Sequence, residues 1–490
     1  MSTESSGQLR ALAVKSAAWY GGTRLWGQLL SWIITIVLAR LLVPADYGLF
    51  AMAYTMLTVL ELLQEFGLGT AIVQRKDLTT RQLNGIFWTV VGASLLLTTL
   101  TFVGADAISG FYGEPKLPWV LRVLCLTFLV NSMGIVPYNL LSKALDLRHR
   151  SIAEVLGTAT KTLITLALAY EGLGVWALVF GHLARSVVLN GALLMFAGWV
   201  PGLELAREGM GGVLTFGLRI AGMHLVGNSS PAITTLIIGR VLGGAAVGLY
   251  TMALSLSEAP HRITTAILNE VSFPVFSKLQ DEREQLSVYF LKISKYLAVI
   301  SLPAQVGLAV VAPDLIPLLL SSRWDGVVAP FRIICMESAV IVTTLTASSM
   351  LTALGRANFL LGRSFLSVGC MIVATLIGAP FGLAGVATAR LILAVPVRLS
   401  SLLPCLWALR LPVRRYLGIL ISPVLSASLM AVVVLTVRRV LLPDAAPLER
   451  LVVSAMAGGV TYGAALVLLD RGLVGEVGSI ARDLVSRSKA

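Results

Sequence analysis

The stretch IVLARLLVPADYGLFAMA (36–53) returns, without a gap and 200 positions later, as LIIGRVLGGAAVGLYTMA (236–253). Extended in that register to 22–53 against 222–253, twelve of 32 positions are identical, among them Gly22, Gly27, Arg40, Gly48 and Met52. In so apolar a chain, Leu, Ala and Gly coincide easily. The weight rests on the unbroken register and on the pairs Arg40/Arg240 and Gly48/Gly248. Duplicated halves in a membrane chain point to transport, with the working site where the repeats meet.

That the chain lies in a membrane follows from its composition: 57% hydrophobic, 13% charged, mean hydropathy +0.86. A span needs about 20 mostly apolar residues. Fourteen such segments are expected, at 17–39, 47–68, 84–104, 118–140, 152–170, 173–196, 212–236, 246–265, 290–311, 327–352, 360–378, 381–405, 416–436 and 450–469. All should be helices, because lipid offers the backbone no hydrogen-bond partner. Six spans separate the starts of the two repeats, and an even number restores direction. The expected architecture is therefore an all-α polytopic membrane protein with two pseudo-twofold-related six-helix lobes around a central cavity. The lobes would be 1–200 and 201–411, with 412–490 adding a peripheral helix pair and tail. Of the 38 Lys and Arg, seven fall in loops on one side (Arg40, Lys116, Arg240, Arg323, Arg438, Arg439, Arg450) and eight in or near spans. The other 23, counting Arg262, Lys292, Lys295 and Arg363 near the ends of their spans, are assigned to the opposite side, which by the positive-inside rule is cytoplasmic and holds both termini. The net charge of +13 thus calls for lipid headgroups and no nucleic acid. The four cysteines form no CxxC pair and all sit in expected spans, so neither disulfide nor metal site is expected.

Several segments resemble Wzx-type polysaccharide flippases, within the multidrug/oligosaccharidyl-lipid/polysaccharide exporter superfamily. They are LARLLVPADYGLFAMA (38–53) with EFGLGTAIVQRKDLT (65–79), YNLLSKALDLRHRSIAEVLG (138–157), GLGVWALVFGHL (172–183), VSFPVFSKLQDEREQL (271–286) and VVAPDLIPLLLSSRW (310–324). The resemblance implies movement of an undecaprenyl-pyrophosphate-linked oligosaccharide from the cytoplasmic to the periplasmic leaflet of a bacterial inner membrane, by alternating access. It further implies no catalysis on the substrate, and the polymerase and glycosyltransferases of the same pathway as partners. A lipid II flippase and a drug/cation antiporter of the same fold are the alternatives. An ATP-driven pump is disfavoured by the absence of any GK dipeptide, and a glycosyltransferase by short outer loops without D-x-D.

Eight basic residues fall in or near spans: Arg24, Arg122, Lys161, Arg185, Arg219, Arg332, Arg390 and Arg398. Each costs roughly 2.5–3.5 kcal/mol at a helix centre and so faces a cavity, an acid or the interface. The chief intramembrane acids, Glu61, Glu65, Glu258 and Glu337, are fewer, which suits an anionic substrate better than an organic cation. In the 200-residue register Arg24 corresponds to His224 and Glu61 to His261. The resemblance implies that spans 1, 2, 7 and 8 line the cavity, which makes Arg24, Arg219 and His224 the leading substrate contacts. Lys161, Arg332 and Arg390 complete the candidate cationic wall. Arg122, Arg185 and Arg398 read equally well as snorkelling residues. Glu337, with a salt bridge to Arg390 as the alternative, and Glu258, with an i,i+4 pair to Arg262, are candidates for coupling to a proton or sodium gradient. No cofactor is expected. The recurring Gly48/Gly248 reads as close helix packing and Arg40/Arg240 as capping of helix-end carbonyls.

Overall fold

Pro44 opens a helix at the one position where its missing N–H costs nothing, and the chain turns there by 116°. The corner joins α1 (Ile34–Leu41) to α2 (Pro44–Glu65). The computed structural model describes residues 34–65, 68–74, 78–203, 231–268 and 272–472. Beyond α2 run α3 (Leu68–Gln74), α4 (Thr80–Tyr112), α5 (Leu117–Leu124), α6 (Leu126–Lys143), α7 (Leu147–Tyr170) and α8 (Val175–Ala197). The second half repeats the order with α9 (Pro231–Leu242), α10 (Gly244–Ile267), α11 (Phe273–Lys278), α12 (Arg283–Leu320), α13 (Val328–Ala353), α14 (Ala357–Gly378) and α15 (Gly382–Ala408). Two more helices, α16 (Val413–Thr436) and α17 (Pro447–Leu469), follow.

The described residues contain helices and no strand. Nine of their helical runs are long and apolar enough to cross a membrane, or ten with the bent α1–α2 pair. One run, Gly362–Ala408, has 47 residues, about 70 Å if straight, and folds back at the turn Ala379–Phe381 into α14 and α15. Helix ends follow local chemistry. Thr79 and Gln82 form a reciprocal capping box at the start of α4, whose last turn ends on left-handed Gly113. The expected spans 2–6 and 8–14 each coincide with described helices. Most of the first and seventh lies outside the described residues.

Packing repeats as the sequence does. In the first half α3 packs on α6, α4 on α6, and α8 on both α6 and α7. In the second half α11 packs on α13, α12 on α13, and α15 on both α13 and α14. The last pair, α16 and α17, packs on α12. Asp314 of α12 accepts a 2.6 Å bond from Arg438 and lies 3.5 Å from Arg450, while Lys295 pairs with Asp470 at 2.5 Å.

The halves meet where α2 crosses α10, and the repeated glycines make the crossing. A Cβ on Gly48 would lie 1.7 Å from the Gly244 carbonyl oxygen, and one on Gly248 would lie 1.9 Å from the carbonyl oxygen of Pro44. Pro44 and Gly244 are themselves equivalent in the 200-residue register, so the contact is reciprocal, as a twofold axis demands. The arginines follow the same rule. Arg40 donates to the carbonyls of Leu318 (2.7 Å) and Leu319 (3.0 Å) at the end of α12. Arg240 lies over the Phe111 ring at the end of α4, the corresponding helix. Glu114 accepts from the Gly244 backbone N–H at 2.9 Å, and the buried Trp324 indole donates to the Ala39 carbonyl at 2.7 Å. This end of the molecule, called here the corner end, is joined between lobes by backbone as well as side chains.

Candidate functional site

Arg24, Arg219 and His224, the leading sequence candidates, lie outside the described residues, as does the side chain of Glu65. The remaining candidates divide into two clusters carried by corresponding helices: α2, α6, α7 and α8 in one lobe, α10, α13, α14 and α15 in the other.

The first-lobe cluster is largely self-satisfied. Glu61 of α2 accepts from Asn131 of α6 at 3.1 Å, whose own side-chain oxygen accepts from Asn190 of α8 at 3.0 Å. Gly134 makes room for this relay, since a Cβ there would lie 1.7 Å from the Asn190 side-chain oxygen. His182 is 7% exposed and packs edge-on to Tyr54, with ring centroids 4.9 Å apart. Arg185 donates to Glu154 at 2.8 Å, and Arg122 to Asp106 at 2.6 Å. Both arginines, read as equally suited to snorkelling, therefore have acids beside them. Glu154 and Asp106 lie near span ends and did not enter the count of intramembrane acids. Lys161 is half-buried on α7 and has no carboxylate partner among the described residues.

The second-lobe cluster is not self-satisfied. Glu337 of α13 takes a two-pronged bond from Arg390 of α15, at 3.1 and 3.3 Å, with side chains 7% and 9% exposed. The Tyr250 hydroxyl of α10 accepts a further bond from Arg390. Glu337 thus has the salt-bridge partner weighed for it in the sequence. On α15, Arg390, Ala394 and Arg398 recur every four residues and share a face. They line a small cavity of about 40 Å³ with Glu337 and with Ser367 of α14. Arg363 lies one turn before Ser367. Among the described residues, Arg398 Nε, Arg363 Nε and Nη1, and His261 Nδ1 are buried without a hydrogen-bond partner. His261 shares the α10 face of Tyr250, three turns away. Three guanidinium N–H donors and an unpartnered imidazole nitrogen on three helices therefore lie around one lobe's interior, where Glu337 is already held by Arg390 and Glu258 by Arg262.

Two candidates stand apart from both clusters. Arg332 is exposed, one turn into α13 near the corner end, with no ion pair among the described residues. Glu258 pairs with Arg262 at 3.1 Å on an exposed helix face. Arg363 was missed in the sequence because it lies three residues inside a span and reads as an interface residue. The eight-residue spacing of Arg390 and Arg398 was the signal available for Arg398. His261 had its signal in the repeat, opposite Glu61.

The described fold and its comparisons agree. The profile of a family described as "Polysaccharide biosynthesis protein" matches residues 37–329. The chain is 24% identical over 343 residues to the lipopolysaccharide biosynthesis protein WzxC of Escherichia coli K12, covering 69% of this chain and 70% of that one. It is 22% identical over 464 residues to the succinoglycan biosynthesis transport protein ExoT of Rhizobium meliloti, covering 92% of each. Among solved structures, the lipid II flippase MurJ in an inward-closed conformation superposes with a TM-score of 0.76 at 12% identity, over 93% of this chain and all of that one. At that identity the likeness bears on the fold alone.

Proposed function

Because this chain belongs to the polysaccharide biosynthesis protein family, in its Wzx-type flippase group, we propose that it translocates a lipid-linked oligosaccharide across the bacterial inner membrane for cell-surface polysaccharide synthesis. The substrate class is an undecaprenyl-pyrophosphate-linked repeat unit, taken from the cytoplasmic leaflet and delivered to the periplasmic one. The observation that carries the reading is the second-lobe cluster. Arg363 and Arg398 hold buried N–H groups without an acceptor among the described residues, and His261 Nδ1 is buried without a partner beside them. A buried donor left unmet costs about 1–3 kcal/mol, more when charged. A pyrophosphate supplies the missing acceptors and the negative charge together, and guanidinium groups suit it through paired N–H bonds. An organic cation would meet only repulsion there.

The transport cycle is alternating access. The reciprocal crossing of α2 on α10, with Arg40 on the end of α12, supports a state sealed at the corner end. With the basic loops cytoplasmic, that is the periplasmic side. The 40 Å³ cavity beside Arg390 and Arg398 has room for little more than water, so the glycan head requires the lobes to part. Arg24, Arg219 and His224 remain proposed contacts from the cavity wall, joined by Lys161, Arg332 and Arg390. Coupling to a proton or sodium gradient through Glu337 would require the bond to Arg390 to break during the cycle, and Glu258 is the second candidate.

The test is depletion of the protein in its native host, followed by mass spectrometry of lipid extracts. Build-up of an intact polyprenyl-pyrophosphate oligosaccharide, cleared by re-expression of the wild type and not by Arg363→Ala with Arg398→Ala, is the expected result. Normal glycolipid levels with new sensitivity to cationic drugs would sink the reading.

A further inference from the structure

A second basic site lies at the end of the second lobe away from the corner, about two helical turns before Arg363 on α14 and about three beyond Arg398 on α15. Arg283 is the first residue of α12, Arg356 immediately precedes α14, and Arg410 follows α15. Together with Leu406, Trp407, Leu411 and Pro412 they line a cleft of about 680 Å³. A smaller cleft of about 130 Å³ continues it, again walled by Arg283 and Arg356. Asp281, Glu282 and Glu284 line neither. None of the three arginines has an ion pair or side-chain hydrogen bond to another described residue. The Arg356 guanidinium lies 5.9 Å from the centroid of the Trp407 ring, which is 76% exposed.

Two features make this arrangement costly without an anion. Arg283 and Arg356 stand at the starts of α12 and α14, and Arg414 and Arg415 occupy the first turn of α16. Each cation sits at the positive end of a helix, where the macrodipole disfavours it. Arg410 carries a φ of +54°. Leu411 N–H bonds back to the Leu406 carbonyl (2.9 Å) and Arg410 N–H to that of Trp407 (3.1 Å), so this is the left-handed position of a Schellman end. Glycine fills the equivalent position after α13, at Gly355 with φ +72°. An arginine there accepts backbone strain to put a guanidinium over the cleft.

The surroundings say where the anion comes from. On α15 the exposed Leu399, Leu403 and Trp407 recur every four residues, and on α16 so do Val413, Leu417 and Ile421. Both apolar stripes run from the cleft along the lipid-facing surface. We propose that this cleft binds the phosphate headgroup of an anionic bilayer lipid, with its acyl chains along the α15 and α16 stripes and its phosphate among Arg283, Arg356 and Arg410. The site is independent of the transport reading and needs only the membrane position of the helices.

The experiment uses the full-length protein in nanodiscs of phosphatidylcholine with increasing phosphatidylglycerol, reading thermal stability and lipid retention by native mass spectrometry. Wild type should retain phosphatidylglycerol over phosphatidylcholine and melt higher as its fraction rises. Arg410→Gly and the double variant Arg283→Ala/Arg356→Ala should each weaken retention about tenfold or more. Arg410→Gly also relieves the backbone, so in pure phosphatidylcholine it should melt no lower than wild type, which separates lost binding from lost folding. Retention within twofold of wild type in both variants would overturn the site. So would equal retention of the two lipids by wild type. A third arm adds free pyrophosphate to phosphatidylcholine nanodiscs: stabilisation there equal to that by phosphatidylglycerol, and lost in the same variants, would overturn the lipid source in favour of a soluble phosphate.

Discussion

Gly48→Ala tests the seam between the lobes most directly. The added methyl would stand 1.7 Å from the Gly244 carbonyl oxygen, whereas ordinary contact begins near 3.4 Å. The obstacle is backbone at the start of α10 and no rotamer change can clear it, so α2 and α10 must separate by about 1.5 Å or more. Overpacking of this kind costs about 1–3 kcal/mol. The cost falls only on the state sealed at the corner end, so the balance between states should move by about 5- to 150-fold. Met52, fully buried at this seam, is the reporter. A cysteine placed there, in a background without the four native cysteines, should react with a maleimide only when the seam opens. Gly48→Ala and Gly248→Ala should each speed labelling by about fivefold or more, and to a similar extent, because their contacts are reciprocal. The double variant should add little, since one parted crossing admits both methyls. Unchanged labelling together with an unchanged melting temperature in either single variant would refute the crossing.

The buried pair offers a second check: Arg390→Ala alone should destabilise by about 3–5 kcal/mol by leaving Glu337 unpaired, whereas Glu337→Leu with Arg390→Met should fold near normally. Thermal unfolding of purified protein separates the two, and equal losses would show that the pair is not the coupled unit described. Asp314→Asn removes the carboxylate shared by Arg438 and Arg450 and should loosen α16 and α17 from α12, read as faster hydrogen exchange in those helices with α7 and α8 unchanged. At the loop before α7, hydrogen bonds from the His149 side chain and backbone hold the Asp146 carboxyl below the usual carboxylate range. Its capping is therefore complete at and above the ordinary carboxylate pKa and lost as pH falls through the lowered value, so Asp146→Asn should lower stability at neutral pH and flatten the acid limb, with the two proteins converging once the wild-type carboxyl is protonated; an unchanged neutral stability would refute it.

The duplication was legible because geometry had written it into residues that cannot be exchanged freely. Gly48 and Gly248 are glycines because each faces the other repeat's backbone, and Arg40 serves the end of α12 as Arg240 serves the end of α4. Hydropathy located the helices for a similarly direct reason, since lipid leaves the backbone one solution. The charges were harder. Whether Arg185 snorkels or pairs depends on Glu154, which lies 31 positions away and on another helix, and no periodicity links the two. Arg363 looked like an interface residue because its depth, and the lack of an acceptor for its buried nitrogens among the described residues, are tertiary facts. Arg410 gave no signal at all: only the backbone conformation reveals that arginine stands where glycine would be favoured.

The repeat also explains why the lobes differ in chemistry while agreeing in frame. Where α2 carries Glu61, held by Asn131, α10 carries His261 with a nitrogen unmet among the described residues. Where α8 carries Arg185 neutralised by Glu154, α15 carries Arg398 with none of its own. A strictly symmetric cavity would hold an anion equally at both walls and would have to release it from both at once. Concentrating the unmet donors on one lobe lets that lobe hold the charge while the other moves past it. On the proposed function, the twofold crossing at Gly48 and Gly248 is the seam that opens and closes, and the divergence at Glu61/His261 sets which lobe holds the charge. Restoring symmetry by His261→Glu should therefore abolish export of a pyrophosphate-linked substrate while leaving helix packing intact. Export at the wild-type rate from that variant would mean that the anion is held elsewhere.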